Sequence, residues 1–280
     1  MHEVVVPAAW VADRRDEIVL VDVRDAWEFD GIGHVPGAVN VPFDSFRAGD
    51  DAAGSADADD AGNGASGETG MLPGGDVFAA LMGEAGISRE DRVVAYDDHH
   101  GVFAARLLLT AELYGHDPDR LHLLDGDFSS WQRERETTSD ATAVEPATYE
   151  TESPGEIETP LVGADAVAAA ADDPEAVVVD TREDWEFEEG HVPGAIRLDW
   201  RELVDDESRG LKPREEMEVI LDDRGVVPEK RIVLYCNTAR RISHTYTVLR
   251  HLGYPNLAFY EGSLTEWEAE GRPLETGEAD

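Results

Sequence analysis

Val-Asp-Val-Arg-Asp-Ala-Trp-Glu-Phe at residues 21–29 recurs as Val-Asp-Thr-Arg-Glu-Asp-Trp-Glu-Phe at residues 179–187. Three further pairs of related blocks follow in the same order along the chain. They are Gly-His-Val-Pro-Gly-Ala at residues 33–38 and 190–195, apolar blocks ending at Tyr96 and Tyr235, and Gly-containing blocks ending at Trp131 and Trp267. Four blocks repeated in one order indicate two copies of a single domain.

Both copies alternate short apolar stretches with helical segments, which is typical of an α/β fold with a mostly parallel sheet flanked by helices. Predicted strands cover residues 18–23, 93–96, 122–124, 176–180, 232–235 and 257–260. Predicted helices cover residues 77–85, 103–114, 213–223 and 243–252. We expect domains at 1–135 and 157–280, each with its own core, joined by a linker at 136–156. Residues 48–70 are small or polar and are expected to form a solvated insertion.

The only cysteine, Cys236, stands where a predicted strand gives way to a predicted helix. The residues that follow, 237–241, would surround the sulfur with backbone N–H groups that lack helical partners, and a helix N-terminus favours an anion. Arg240 and Arg241 add positive charge. We therefore expect a thiol that ionises readily, and the thiolate is the reactive form. A buried, inert cysteine is the alternative, but two adjacent arginines do not suit an apolar core.

The repeated blocks resemble the rhodanese (thiosulfate sulfurtransferase) family over nearly the whole chain. The Asp-x-Arg block, the Gly-His-x-Pro-Gly-Ala block, the Tyr-Cys loop and the Gly-x-x-x-x-Trp ending occur in family order. Because Cys236 aligns with Asp97, the resemblance implies two tandem rhodanese-like domains, of which the first is inactive and the second is catalytic. The acidic composition is similar to that of archaeal members adapted to high salt.

Family membership would make Cys236 the carrier of a persulfide and Arg241 the contact for the anionic substrate. The substrate-binding loop would consist of Asn237, Thr238, Ala239, Arg240 and Arg241. Two departures stand out. Many relatives have glycine in place of Ala239, so the turn is expected to be slightly strained. In tandem enzymes of the animal rhodanese and mercaptopyruvate types, an arginine that binds substrate occupies the position of Glu186. The absence of this arginine leaves the identity of the sulfur donor open.

The chemistry that these residues imply is a two-step transfer of sulfane sulfur. The Cys236 thiolate would attack thiosulfate, a small anionic donor, release sulfite and keep the sulfur as a persulfide. Cyanide, a thiol or a sulfur-carrier protein would then accept it. No metal and no organic cofactor is expected. The alternatives are a 3-mercaptopyruvate sulfurtransferase and a persulfide carrier or redox-responsive module that serves one partner.

A cysteine-dependent phosphatase on the same fold is a further alternative. That chemistry needs an arginine six residues after the cysteine, so that the loop can hold a tetrahedral phosphate. Ile242 occupies that position, and the last arginine, Arg241, comes one residue earlier. The shorter loop favours a sulfur atom over a phosphoryl group.

Several polar residues recur in both copies and are interpreted first as structural. His34 and His191 are expected to make hydrogen bonds that shape their turns. The repeated acidic and basic residues are expected to form buried ion pairs and helix caps; they are Asp22, Arg24, Glu28, Asp180, Arg182 and Glu186. Asp180 and Arg182 are also candidates for supporting the site, with Arg182 tuning the field at Cys236. Trp131 and Trp267 are expected to anchor the cores.

Three histidines invite a functional interpretation that the pattern does not favour. His99 and His100 could bind a metal with Asp97, but their spacing is nonspecific. His244 could move protons near the sulfur, yet a partly exposed helix position is the favoured interpretation.

The net charge of −39 and the presence of only two lysines, Lys212 and Lys230, suggest a protein that works in concentrated salt. Screening there is strong, since the Debye length falls to roughly 3 Å at 1 M. The acidic surface excludes nucleic acid as an expected partner. No apolar run approaches the roughly 20 residues that span a bilayer, and no signal-peptide pattern is present. A lone reactive thiol suits the cytoplasm.

Overall fold

The chain forms two compact α/β units in a computed structural model that describes residues 3–47 and 72–277. The first unit comprises Met1–Thr159 and Asp206–Gly210, and the second comprises Pro160–Asp205 and Leu211–Asp280. The predicted insertion at residues 48–70 lies outside the described residues. The predicted fold class, two tandem α/β domains, is confirmed.

The first unit is built around one sheet of parallel strands. The strands are β1 (Val5–Pro7), β2 (Val19–Asp22), β3 (Val39–Asn40), β4 (Val93–Tyr96) and β5 (Leu121–Asp125). The helices are α1 (Ala8–Asp13), α2 (Ala26–Gly31), α3 (Gly75–Glu84), α4 (Val102–Leu113) and α5 (Phe128–Glu134). The strand order is β1-β5-β4-β2-β3, and every residue of the central strand β4 is buried, as expected for a parallel sheet between helices.

The second unit repeats this plan. Its strands are β6 (Ala176–Asp180), β7 (Ile196–Arg197), β8 (Arg231–Tyr235) and β9 (Leu257–Phe259). Its helices are α6 (Ala164–Ala171), α7 (Asp184–Glu189), α8 (Arg214–Asp222), α9 (Arg240–Leu252) and α10 (Ser263–Ala269). The parallel order is β7-β6-β8-β9, and a bridge between Leu161 and Phe259 occupies the place of β1.

The repeated blocks supply the core and the turns that frame each sheet. Trp131 and Trp267 are each 2% exposed, and each lies in an apolar core cluster of its own unit, as predicted. His34 and His191 hydrogen bond through Nδ1 to the carbonyls of the phenylalanines on which their rings stack, Phe29 and Phe187. The predicted structural role of both histidines is confirmed.

Predicted element boundaries agree within two residues except at α9, which begins at Arg240 rather than at residue 243. Helices of six to eight residues, such as α2 and α7, were not predicted, since they are too short to show a clear period. The predicted linker packs on the first unit: the N–H groups of Ala147 and Glu152 donate to the carbonyls of Gly83 and Tyr114. Among the described residues, no helix is long and apolar enough to cross a bilayer.

Candidate active site

Cys236 directly follows β8, at the carboxyl end of a central strand of the second unit. Its N–H donates to the hydroxyl of Ser263 (3.2 Å), and its carbonyl accepts from the N–H of Leu264 (2.9 Å). The first turn of α10 therefore fixes its backbone. Cys236 is 1% exposed, while Asn237 and Thr238 beside it are partly exposed.

The loop turns sharply at Ala239, whose φ of 63° lies in the left-handed region. This conformation costs a residue other than glycine about 1 kcal/mol, so the strain expected from the sequence is present. The turn aims the chain directly into α9, which is why the helix starts at Arg240. His100 has a φ of 57° at the matching position of the first unit. The two loops differ one residue later, because Gly101 (φ 85°) is also left-handed whereas its counterpart, Arg240, is the first residue of α9.

The first unit shows what the loop binds when an acidic residue stands in place of the cysteine. One carboxylate oxygen of Asp97 accepts from the N–H groups of His99 (2.7 Å) and Gly101 (2.8 Å). The other accepts from those of Phe103 (2.8 Å) and Ala104 (3.0 Å). Burial raises the pKa of the Asp97 carboxyl, and these bonds from the backbone oppose that rise. The loop thus holds the Asp97 carboxyl group with four backbone donors.

The sequence repeat gives each of the four backbone N–H groups that bind Asp97 a counterpart in the second unit. With Cys236 opposite Asp97, the matching amides belong to Thr238, Arg240, Ile242 and Ser243. All four follow Cys236 in the loop and the first turn of α9.

A metal site at Asp97, His99 and His100 has no support in this geometry. Both oxygens of the Asp97 carboxylate already accept hydrogen bonds from the backbone, one of them from the N–H of His99. Within residues 3–47 and 72–277, no group of three or more His, Cys, Asp or Glu side chains could hold a metal ion.

Asp180 and Arg182 form a buried ion pair next to the loop. Arg182 Nε donates to Asp180 at 3.0 Å, and Nη2 donates to the same carboxylate at 2.7 Å. Nη1 reaches the side-chain oxygen of Asn237 at 3.3 Å, so the pair touches the loop through this residue. Asp22 and Arg24 make the equivalent pair in the first unit. The predicted buried pairs are confirmed.

Glu186 joins α7 to the cysteine loop, a contact that the sequence did not predict. Glu186 is 6% exposed, accepts from the N–H of Glu183 in a capping box, and accepts from Asn237 Nδ2 at 2.8 Å. Its carboxylate also forms an ion pair with Arg241. The residue expected to contact substrate therefore already has an anionic partner within the protein.

The pKa shifts of this pair follow from its geometry. Burial disfavours the charged form of Glu186, but hydrogen bonds from Arg241, Glu183 and Asn237 hold its pKa below the ordinary value. Burial also opposes the charge on Arg241, yet the Glu186 carboxylate and the neighbouring Cys236 raise the Arg241 pKa. The Arg241 guanidinium therefore lies near both Glu186 and Cys236.

The described contacts correct one expectation and reveal two residues that the sequence analysis missed. His244, expected to be partly exposed, is fully buried, with its ring 5.3 Å from that of Trp200. Ser263 binds the Cys236 N–H, and the Thr265 hydroxyl donates to the carbonyl of Asn237 (2.9 Å). Ser263 and Thr265 both lie in the repeated block that ends at Trp267. Their place in that block was the only sequence signal that could have identified them. Arg240 is partly exposed at the start of α9.

Comparisons with known proteins agree with this geometry. The family model described as a rhodanese-like domain matches residues 7–134 and 163–270. A thiosulfate sulfurtransferase of Pseudomonas aeruginosa is 31% identical over 269 residues, covering 90% of this chain and 88% of the relative. One from Corynebacterium glutamicum is 31% identical over 298 residues, covering 99% and 91%. The crystal structure of a 3-mercaptopyruvate sulfotransferase of Escherichia coli superposes with a TM-score of 0.73 at 26% identity, covering 93% of this chain and 98% of that one.

Proposed function

This chain belongs to the rhodanese-like domain family, and we propose that it is an enzyme that moves sulfane sulfur from thiosulfate to a thiophilic acceptor through Cys236. Relatives named thiosulfate sulfurtransferase, about as long as this chain, support the reaction. The position of Cys236 at a strand end, followed by a helix N-terminus and two arginines, supports the residue. The first domain, with Asp97 in place of cysteine, is inactive.

The observation that carries the proposal is the Asp97 carboxylate held by four backbone N–H groups. A carboxylate oxygen of aspartate and the terminal sulfur of a cysteine persulfide are both two bonds from Cβ. The matching loop around Cys236, which has the same left-handed turn at Ala239, would therefore present its amides to a negative atom at the place of the persulfide sulfur. Such a cradle of amides stabilises the covalent intermediate without a metal or an organic cofactor.

In the first step, the Cys236 thiolate attacks the outer sulfur of thiosulfate. The bond from Sγ to that sulfur forms as the sulfur–sulfur bond of thiosulfate breaks, and sulfite leaves with the electron pair of the broken bond. The charge of −3 on the reactants equals that on the persulfide anion and sulfite together. No external oxidant or reductant is consumed.

In the second step, a nucleophilic acceptor attacks the terminal sulfur and restores the Cys236 thiolate. Cyanide would leave as thiocyanate, and a thiol or a sulfur-carrier protein would leave as a persulfide. Arg182 positions the loop through Asn237. Arg241 lies close enough to Cys236 to stabilise a thiolate there electrostatically. A reactive thiol of this kind suits a reducing compartment such as the cytoplasm.

3-Mercaptopyruvate is the second candidate donor, since the similar Escherichia coli structure belongs to a 3-mercaptopyruvate sulfotransferase. The intact mass of the protein after exposure to each donor separates the two. We expect thiosulfate to add the mass of one sulfur atom to Cys236, and cyanide to remove it with release of thiocyanate. Loading without turnover would identify a carrier for a dedicated partner, and no gain in mass from either donor would overturn the proposal.

We further propose that the protein works in concentrated salt, as its net charge of −39 suggests. Carboxylates repel one another when screening is weak, so the melting temperature should rise from dilute buffer to molar KCl. The KM for thiosulfate should rise over the same series, because salt also screens Arg240 and Arg241 from the anion.

Thermal melts and steady-state kinetics over one KCl series measure both effects. Sucrose at matched osmolality is the control, since it favours the compact state without screening charge. A melting temperature that stays flat or falls with KCl would contradict adaptation to salt.

A further inference from the structure

Arg241 is already paired with a carboxylate of the protein itself before any sulfur donor binds. Glu186 forms an ion pair with it, and both side chains are largely buried, with 6% and 15% of their surface exposed. The Glu186 carboxylate is fixed from two other sides, by the Glu183 N–H at 3.0 Å and by Asn237 Nδ2 at 2.8 Å. A carboxylate so held is an anion of α7 fixed against the loop that carries Cys236.

The first unit shows that the ion pair of Glu186 with Arg241 is separate from the helix-capping role of Glu186. Glu28 occupies the same capping position in α2, where its carboxylate accepts from the N–H of Asp25 at 3.1 Å. Val102 takes the place of Arg241 in that unit. Burial raises the pKa of Glu28, whereas the pKa of Glu186 is lowered. The arginine pairing therefore distinguishes Glu186 from an ordinary capping residue.

We propose that Glu186 determines donor specificity by competing with the anionic group of the donor for Arg241, so that the site favours thiosulfate over 3-mercaptopyruvate. This inference rests on the proposed function of Cys236. In thiosulfate, the charge and the reactive sulfur belong to one small ion, which the loop amides can hold. In 3-mercaptopyruvate, the carboxylate is separated from the sulfur by two carbons and needs its own cation. Arg241 would be that cation, and it is already paired with Glu186.

The test compares steady-state kinetics with both donors in Glu186→Gln and in wild type. Glutamine keeps the size of the side chain and removes the charge. We expect kcat/KM for 3-mercaptopyruvate to rise about tenfold relative to that for thiosulfate, because a charge-assisted contact becomes available. The change should lie mainly in KM. Glu186→Asp, which retains the charge, should keep the wild-type ratio between donors.

Glu28→Gln is the matched control, since it removes a carboxylate from the same capping box in the unit without cysteine. It should leave the donor ratio unchanged and lower the melting temperature less than Glu186→Gln does, because Val102 stands in place of Arg241 in the first unit. A second variant, Glu186→Ser, keeps a capping oxygen and carries the same kinetic expectation if glutamine disturbs the fold.

The outcomes separate this inference from the proposed function. A donor ratio within twofold of wild type in the folded variants, with Cys236 still gaining a sulfur from thiosulfate, would overturn the role of Glu186 and leave the reaction intact. If Cys236 gained no sulfur from either donor in wild type or variants, the proposed function itself would fall. A tenfold shift in the ratio, absent from Glu28→Gln, supports the inference.

Discussion

We expect Cys236→Ser to lower sulfur transfer from thiosulfate by at least about three orders of magnitude. Serine has nearly the size of cysteine but lacks the soft, ionisable nucleophile on which the persulfide depends. The fold should remain intact, because the described contacts of Cys236 with Ser263 and Leu264 involve only its backbone. Thiocyanate formation measures the activity, and a thermal melt measures the fold.

Asp97→Cys in the Cys236→Ser background is the matched control. It places a cysteine in the equivalent loop, where Gly101 and Val102 stand in place of the two arginines. It also removes the carboxylate to which four backbone N–H groups donate. We expect no recovery of activity. Appreciable transfer by Cys236→Ser alone would show that the nucleophile lies elsewhere.

Arg241→Ala should lower kcat/KM for thiosulfate by about ten- to a hundredfold, since the interaction of its guanidinium with negative charge at Cys236 contributes roughly 1.5–3 kcal/mol. Two effects combine in this variant. The loop loses a cation that interacts with Cys236, and the buried Glu186 carboxylate loses its ion-pair partner. That uncompensated negative charge lies beside the path of an anionic donor. Steady-state kinetics at fixed salt concentration measures the loss.

Arg240→Ala removes the same charge from the neighbouring position and should cost less, because Arg241→Ala also breaks the ion pair with the buried Glu186 carboxylate. The double variant Arg241→Ala/Glu186→Gln should recover part of the loss, since it removes the uncompensated carboxylate. Equal and small effects from the two arginine variants would exclude Arg241 from the site.

The sequence by itself determined the architecture and the position of the candidate nucleophile. Repeated blocks require repeated folds, and alternating apolar stretches and helical segments suffice to predict parallel α/β units. Cys236 and Asp97 could be placed at equivalent strand ends because Tyr235 and Tyr96 close matching apolar strands. These inferences depend on local patterns, which the chain carries within a few residues.

Only the tertiary structure decided what surrounds the cysteine. β6 pairs in parallel with β8, with Asp180 opposite Tyr235, so the segments that follow both strands emerge at one edge of the sheet. That register brings Glu186 to Arg241, although 55 positions separate them in the chain. Pairing between such distant residues depends on strand order and register, which repeats and periodicity do not encode. For the same reason, the contact of Cys236 with Ser263 could not be predicted from the sequence.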